Sequence, residues 1–94
     1  MDAADRGVRI VVTGRVQGVG YRYFARAQAV SLGVSGYVRN LADGTVEAVA
    51  VGPGASVARF VERLREGPSG ASVHACRTVP VEPAEPYADF RITC

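Results

Sequence analysis

Between Gly14 and Arg22 the chain reads GRVQGVGYR, in which three glycines alternate with two valines, a side-chain amide, a tyrosine and two arginines. Glycines in a short turn accept positive φ and let the backbone approach a ligand closely. If a helix opens directly after the turn, its first N–H groups are unpaired and its dipole places partial positive charge at the same point. Together these features make a cradle for an anion. Arg22, in the first turn of that helix, adds a permanent charge and a planar fork suited to phosphate or carboxylate. A packing turn with no ligand would use glycines in the same way, so both readings stand at this point.

Known phosphate-binding patterns do not fit the stretch. A P-loop needs Gly-Lys-Ser/Thr after its second glycine, and all eleven basic residues here are arginine. A dinucleotide fingerprint begun at Gly18 and Gly20 needs a third glycine where Tyr23 stands. The cradle is also short, so one phosphate-sized group is its expected occupant. Without lysine, Schiff-base and lysine-nucleophile chemistry are excluded.

A second constellation is GYVRNLADGTVEAVAVG, Gly36 to Gly52. Asn40 stands just before an Asp43-Gly44 turn. An asparagine there commonly forms the turn by bonding local backbone. Alternatively, a neutral amide that donates and accepts can orient a water beside a bound anion.

The elements that must carry these residues follow from periodicity. Val8 to Thr13 (VRIVVT) is apolar on both faces and β-branched, as a central strand is. A helix is expected from about Tyr21 to Leu32, with Tyr21, Ala25, Gln28 and Leu32 on its buried face, Phe24 and Ala29 flanking, and Gly33 as a left-handed cap. Val34 to Leu41 and Thr45 to Val51 form a hairpin around Asp43-Gly44. After Gly52-Pro53-Gly54, Ser56 is placed to cap a second helix whose stripe is Val57, Phe60, Val61 and Leu64. Its other face (Arg59, Glu62, Arg63, Arg65, Glu66) is expected to be solvated and self-paired. A strand near Ser72 to Val79, a Pro- and Glu-rich connection (PVEPAEP) and a short strand near Asp89 to Thr93 complete the order. The expected fold is α+β, a ferredoxin-like sandwich in which a β-α-β-β-α-β antiparallel sheet carries both helices on one face, plus a short terminal strand.

The 94 residues are expected to form a single domain, 1–94, with residues 1–6 disordered. A net charge of +2 is too small to argue for nucleic acid or an anionic membrane. No apolar run approaches a membrane span and MDAADRG does not resemble an export signal, so a cytoplasmic location is expected. Cys76 and Cys94 match no metal spacing and are read as reduced structural thiols.

The two constellations closely resemble the acylphosphatase family (acylphosphate phosphohydrolases). Its first signature is matched at Val12, Gly14, Val16, Gln17, Gly18, Val19, Tyr21 and Arg22, and its second at Gly36, Tyr37, Asn40, Gly44, Val46 and Gly52. Tyr21 stands where Phe is usual, which preserves packing if its hydroxyl finds a partner. Gly20 stands where a larger residue is common, which implies a more flexible cradle.

The resemblance implies a hydrolase that splits the carboxyl–phosphate bond of acyl phosphates; no Asp/Glu pair or His cluster in the sequence suggests a metal, so metal-independent action without a cofactor is expected. It implies that backbone N–H groups of Gln17, Gly18, Val19, Gly20 and Tyr21, with the Arg22 guanidinium, hold the phosphoryl group. Arg22 and Asn40 are the implied catalytic residues, Asn40 positioning the attacking water. Inorganic phosphate or sulfate should compete, and the chain should work as a monomer. No general base accompanies either motif; His74 lies on an expected strand remote in sequence, which leaves a phosphate oxygen of the substrate to take the proton. A rival reading is a non-catalytic phosphate-binding module, because the same domain type resembles the N-terminal part of larger hydrogenase-maturation proteins that handle carbamoyl phosphate. A chain of 94 residues with no partner domain is expected to act alone. An RNA-binding domain of similar fold would need paired aromatics on its central strands, and VRIVVT has none.

Overall fold

The computed structural model describes residues 5–82 and 87–94. The order is β1 (Asp5–Arg15), α1 (Tyr21–Leu32), β2 (Ser35–Asn40), β3 (Val46–Pro53), α2 (Gly54–Glu66), β4 (Ser72–Val81) and β5 (Phe90–Ile92). The five strands lie in the order β4-β1-β3-β2-β5, so β1 is an interior strand as expected, although the helices cover only its Ile10 and Val12 face. The short terminal strand runs parallel to β2, which makes the sheet mixed.

Alternation along the strands decides which face is covered. Ile10 and Val12 of β1, Val46, Ala48 and Ala50 of β3, Val38 of β2 and Phe90 of β5 are buried together with Tyr21, Ala25 and Ala29 of α1 and Val57, Phe60 and Leu64 of α2. Both helices therefore pack on the same face. Phe60 and Leu64 are fully buried, and each such side chain contributes about 1.5–3 kcal/mol by leaving water. On α1 the buried stripe is Tyr21, Ala25 and Ala29; Gln28 lies at its edge, where Arg63 of α2 donates to its Oε1 at 2.7 Å. Gly33 takes the left-handed conformation at φ 73°, and Val34 N–H closes the helix end on Ala29 O at 2.9 Å.

Several boundaries differ from those expected. β1 begins at Asp5, so Asp5 and Arg6 are paired with Pro53 and Gly52 rather than disordered; residues 1–4 lie outside the described ones. Helix α2 begins at Gly54 with Pro53 as its cap residue and no side-chain cap, so Ser56 sits inside the first turn. Pro53, with φ −56°, turns the chain straight from β3 into the helix, three residues earlier than a cap at Ser56 would. β4 runs on through Pro80 and Val81, which belong to the strand and not to the connection. Proline is tolerated there because β4 is an edge strand; positions 83–86 lie outside the described residues. The charges of α2 do not pair with each other among the described residues. Arg63 reaches Gln28, and Arg65 donates to Cys76 O at 3.3 Å.

Candidate active site

Topology brings the two sequence constellations to one end of the central strands. β1 and β2 are each antiparallel to β3, which lies between them, so they point the same way. The loop after β1 and the residue ending β2 thus emerge at the same end of the sheet. In the row through Val12, Val46 and Asn40, two inter-strand spacings separate β1 from β2, about 10 Å. Asn40 follows Val38 by two residues and so shares its helix-covered side.

The loop from Val16 to Gly20 is pinned from beneath. Val16 is buried in the core and Val19 packs against it, while Gly18 and Gly20 are exposed. Both glycines are left-handed, with φ 75° and 79°, a conformation that strains any residue carrying a Cβ. Gly14, at the register shift between β1 and β4, approaches the neighbouring strand so closely that an added Cβ would lie 2.2 Å from Ser72 O.

Glycine also cannot cap a helix with a side chain, and Gly20 is the cap residue of α1. Phe24 N–H is the first to enter the helical ladder, donating to Gly20 O at 3.0 Å. Among the described residues, no backbone N–H from Gln17 to Tyr23 donates to a protein acceptor. Arg22 is half-buried at the same helix start and has no ion pair among the described residues.

Gln17 uses its side chain in a way the sequence did not disclose. Its Nε2 donates to Leu41 O at 2.8 Å and to Thr45 O at 2.9 Å, tying the loop to the β2–β3 turn. That turn has its own bonds: Leu41 N–H to Thr45 O at 2.8 Å and Gly44 N–H to Leu41 O at 3.2 Å. Asp43 Oδ1 accepts from the Thr45 N–H and hydroxyl, which hold its carboxyl below the usual carboxylate range. Asp43, not Asn40, is the side chain that braces the turn. Asn40 Oδ1 is buried and has no hydrogen-bond partner among the described residues. A buried orphan acceptor of this kind is rare and costly.

Tyr21 answers the question its hydroxyl posed. The hydroxyl donates to Leu64 O in the last turn of α2 at 2.6 Å. Four residues on stands Pro68, which has no N–H to complete the ladder, so the tyrosine satisfies an otherwise orphaned carbonyl. Burial, with a smaller contribution from Cys76, raises its pKa far above the ordinary range and keeps it a neutral donor. His74 is exposed on β4, and burial raises the thiol pKa of half-buried Cys76. No cluster of three or more His, Cys, Asp or Glu suited to a metal occurs among the described residues.

The family model described as acylphosphatase matches residues 8–92. The chain belongs to the acylphosphatase family. It is similar to the acylphosphatase of Rhizobium etli, 45% identical over 93 residues and 99% of each chain. Its fold matches the crystal structure of acylphosphatase from Bacillus subtilis with a TM-score of 0.91 and 36% identity, over 95% of this chain and 99% of that one. It also matches the structure of HypF from T. kodakarensis, with a TM-score of 0.83 and 29% identity, over 95% of this chain but 12% of that one. Acylphosphatases are hydrolases, and the two-helix, five-stranded α+β sandwich is the arrangement of their solved structures.

Proposed function

We propose that this acylphosphatase hydrolyses the carboxyl–phosphate bond of acyl phosphates, with the Gly14–Arg22 loop as phosphate cradle and Asn40 as the group that orients water. The N–H groups of Gln17 to Tyr21 and the Arg22 guanidinium hold the non-bridging phosphoryl oxygens. The Asn40 side-chain amide, which can both donate and accept, hydrogen-bonds the water and turns a lone pair toward phosphorus. The water oxygen then bonds to phosphorus, the bond from phosphorus to the carboxyl oxygen breaks, and a carboxylate leaves. A non-bridging oxygen of the substrate takes the proton, so no protein base is required. An acyl phosphate is an activated mixed anhydride with a good leaving group, so positioning and charge stabilisation supply much of the catalysis.

The observation that carries this reading is the combination, at one end of the central strands, of unanswered donors with an unanswered buried acceptor, Asn40 Oδ1. Unpaired N–H groups are common to helix starts, but a packing turn would not leave a buried acceptor orphaned beside them. The cradle addresses only the phosphate, so broad tolerance of the acyl group is expected.

A hydrolysis panel of acetyl, carbamoyl, benzoyl and 1,3-bisphosphoglycerate substrates tests the proposal. Turnover of several, with inorganic phosphate or sulfate competing, is the expected result. Failure on all four, with phosphate still bound, would favour a non-catalytic phosphate module.

A further inference from the structure

The two halves of the proposed site come from separate segments, and the Gln17 side chain joins them across 24 and 28 residues of sequence. Both protons of the Gln17 amide are committed, one to Leu41 O at 2.8 Å and one to Thr45 O at 2.9 Å. Each of those carbonyls already accepts one bond from the turn itself. A carbonyl oxygen has two lone pairs, so the amide fills both acceptors. Leu41 directly follows Asn40, so this tie holds the backbone that carries the orphaned amide against the loop whose N–H groups are free.

We infer that Gln17 is a positioning residue that sets the distance between the anion cradle and the water held by Asn40. The inference rests on the reading proposed above. The turn keeps its own two hydrogen bonds without Gln17, so the hairpin survives its replacement. What is lost is the registration of Asn40 with the phosphoryl group. A misplacement of about 1 Å in a reacting pair costs on the order of a hundredfold in rate, while phosphate affinity depends on the loop N–H groups and Arg22.

The test is a double-mutant cycle on benzoyl phosphate with Gln17→Leu, Asn40→Ala and the two combined. The inhibition constant of inorganic phosphate is measured beside kcat in each. Gln17→Leu is expected to lower kcat by about tenfold to a hundredfold. Its phosphate inhibition constant should stay within about threefold, and the combined variant should match Asn40→Ala within about twofold.

Multiplying effects, or phosphate affinity falling in step with kcat, would overturn the inference and leave the reading of Asn40 intact. Wild-type turnover in Asn40→Ala would overturn both.

Gln17→Glu supplies an independent arm. When ionised, its carboxylate faces two carbonyl oxygens and repels the turn; when protonated, it offers one O–H donor. Its kcat relative to wild type should therefore rise as pH falls through the carboxyl range, a limb that Gln17→Leu lacks. A flat ratio would count against the tie.

Discussion

Among the described residues, Asn40 Oδ1 is the buried polar side-chain atom without a hydrogen-bond partner, and it separates a turn residue from a catalytic one. Because Asp43 braces the turn, Asn40→Asp and Asn40→Ala should both fold. The Asp variant sets a negative charge beside a dianion and removes the amide donors. Both variants are expected to lose at least about a hundredfold in turnover while retaining weak phosphate binding, checked by steady-state kinetics and phosphate titration. Near-wild-type turnover of the Asp variant would return Asn40 to a structural role. Arg22→Lys keeps the charge but not the two-pronged donor. It should lose most activity, and a folded variant keeping more than about a tenth would count against the clamp.

The N-terminal turn of α1 and the C-terminal turn of α2 are joined by the Tyr21 hydroxyl on Leu64 O. Tyr21→Phe keeps the ring in the core but leaves a buried carbonyl that Pro68 cannot satisfy. Chemical denaturation should find it less stable by roughly 1–3 kcal/mol. Unchanged stability would mean that the helix ends are held by apolar packing alone. Tyr21 thus adds a bond between the helices that a phenylalanine would lack.

At the scale of the whole molecule, Glu47 ties three strands on the face away from the helices. Its carboxylate accepts from Arg9 Nε of β1 and Arg39 Nε of β2, each at 2.6 Å. Burial alone would raise its pKa, but the hydrogen bonds and charges of Arg39 and Arg9 outweigh that and hold it below its ordinary 4.5. A folded-state pKa below the unfolded one stabilises the protein above the unfolded value, and the contribution is lost as pH falls through the folded value. Stability should therefore decline on acidification below about pH 4.5, and Glu47→Gln, less stable by roughly 1–2 kcal/mol at pH 7, should flatten that decline. A Glu47→Gln variant with the same acid profile as wild type would show that other carboxylates govern it. Activity, in contrast, is expected to survive EDTA and to lack a limb from exposed His74. Loss in EDTA restored by a divalent ion, or a changed pH profile in His74→Ala, would contradict this.

The sequence by itself determined whatever depends on short range. Helical and strand periods placed both helix stripes and the order of elements. Asp43-Gly44 marked the hairpin, and the two long motifs marked Arg22 and Asn40 as candidates. Glycine spacing was enough to expect left-handed turns at the loop, because positive φ is a property of one residue at a time. The cap of α2 is not legible in this way, because Pro53 starts the helix and leaves Ser56 as its third residue.

Only the tertiary structure decided which distant groups answer one another. Gln17 reaches carbonyls 24 and 28 residues away, and Tyr21 reaches one 43 residues away. Glu47 sits between arginines from two neighbouring strands, and β5 pairs parallel to β2. Such partners depend on which strands become neighbours and in what register, and a backbone carbonyl offers the same acceptor whatever its residue. No local pattern can therefore mark Leu41, Thr45 or Leu64 as the one that is used.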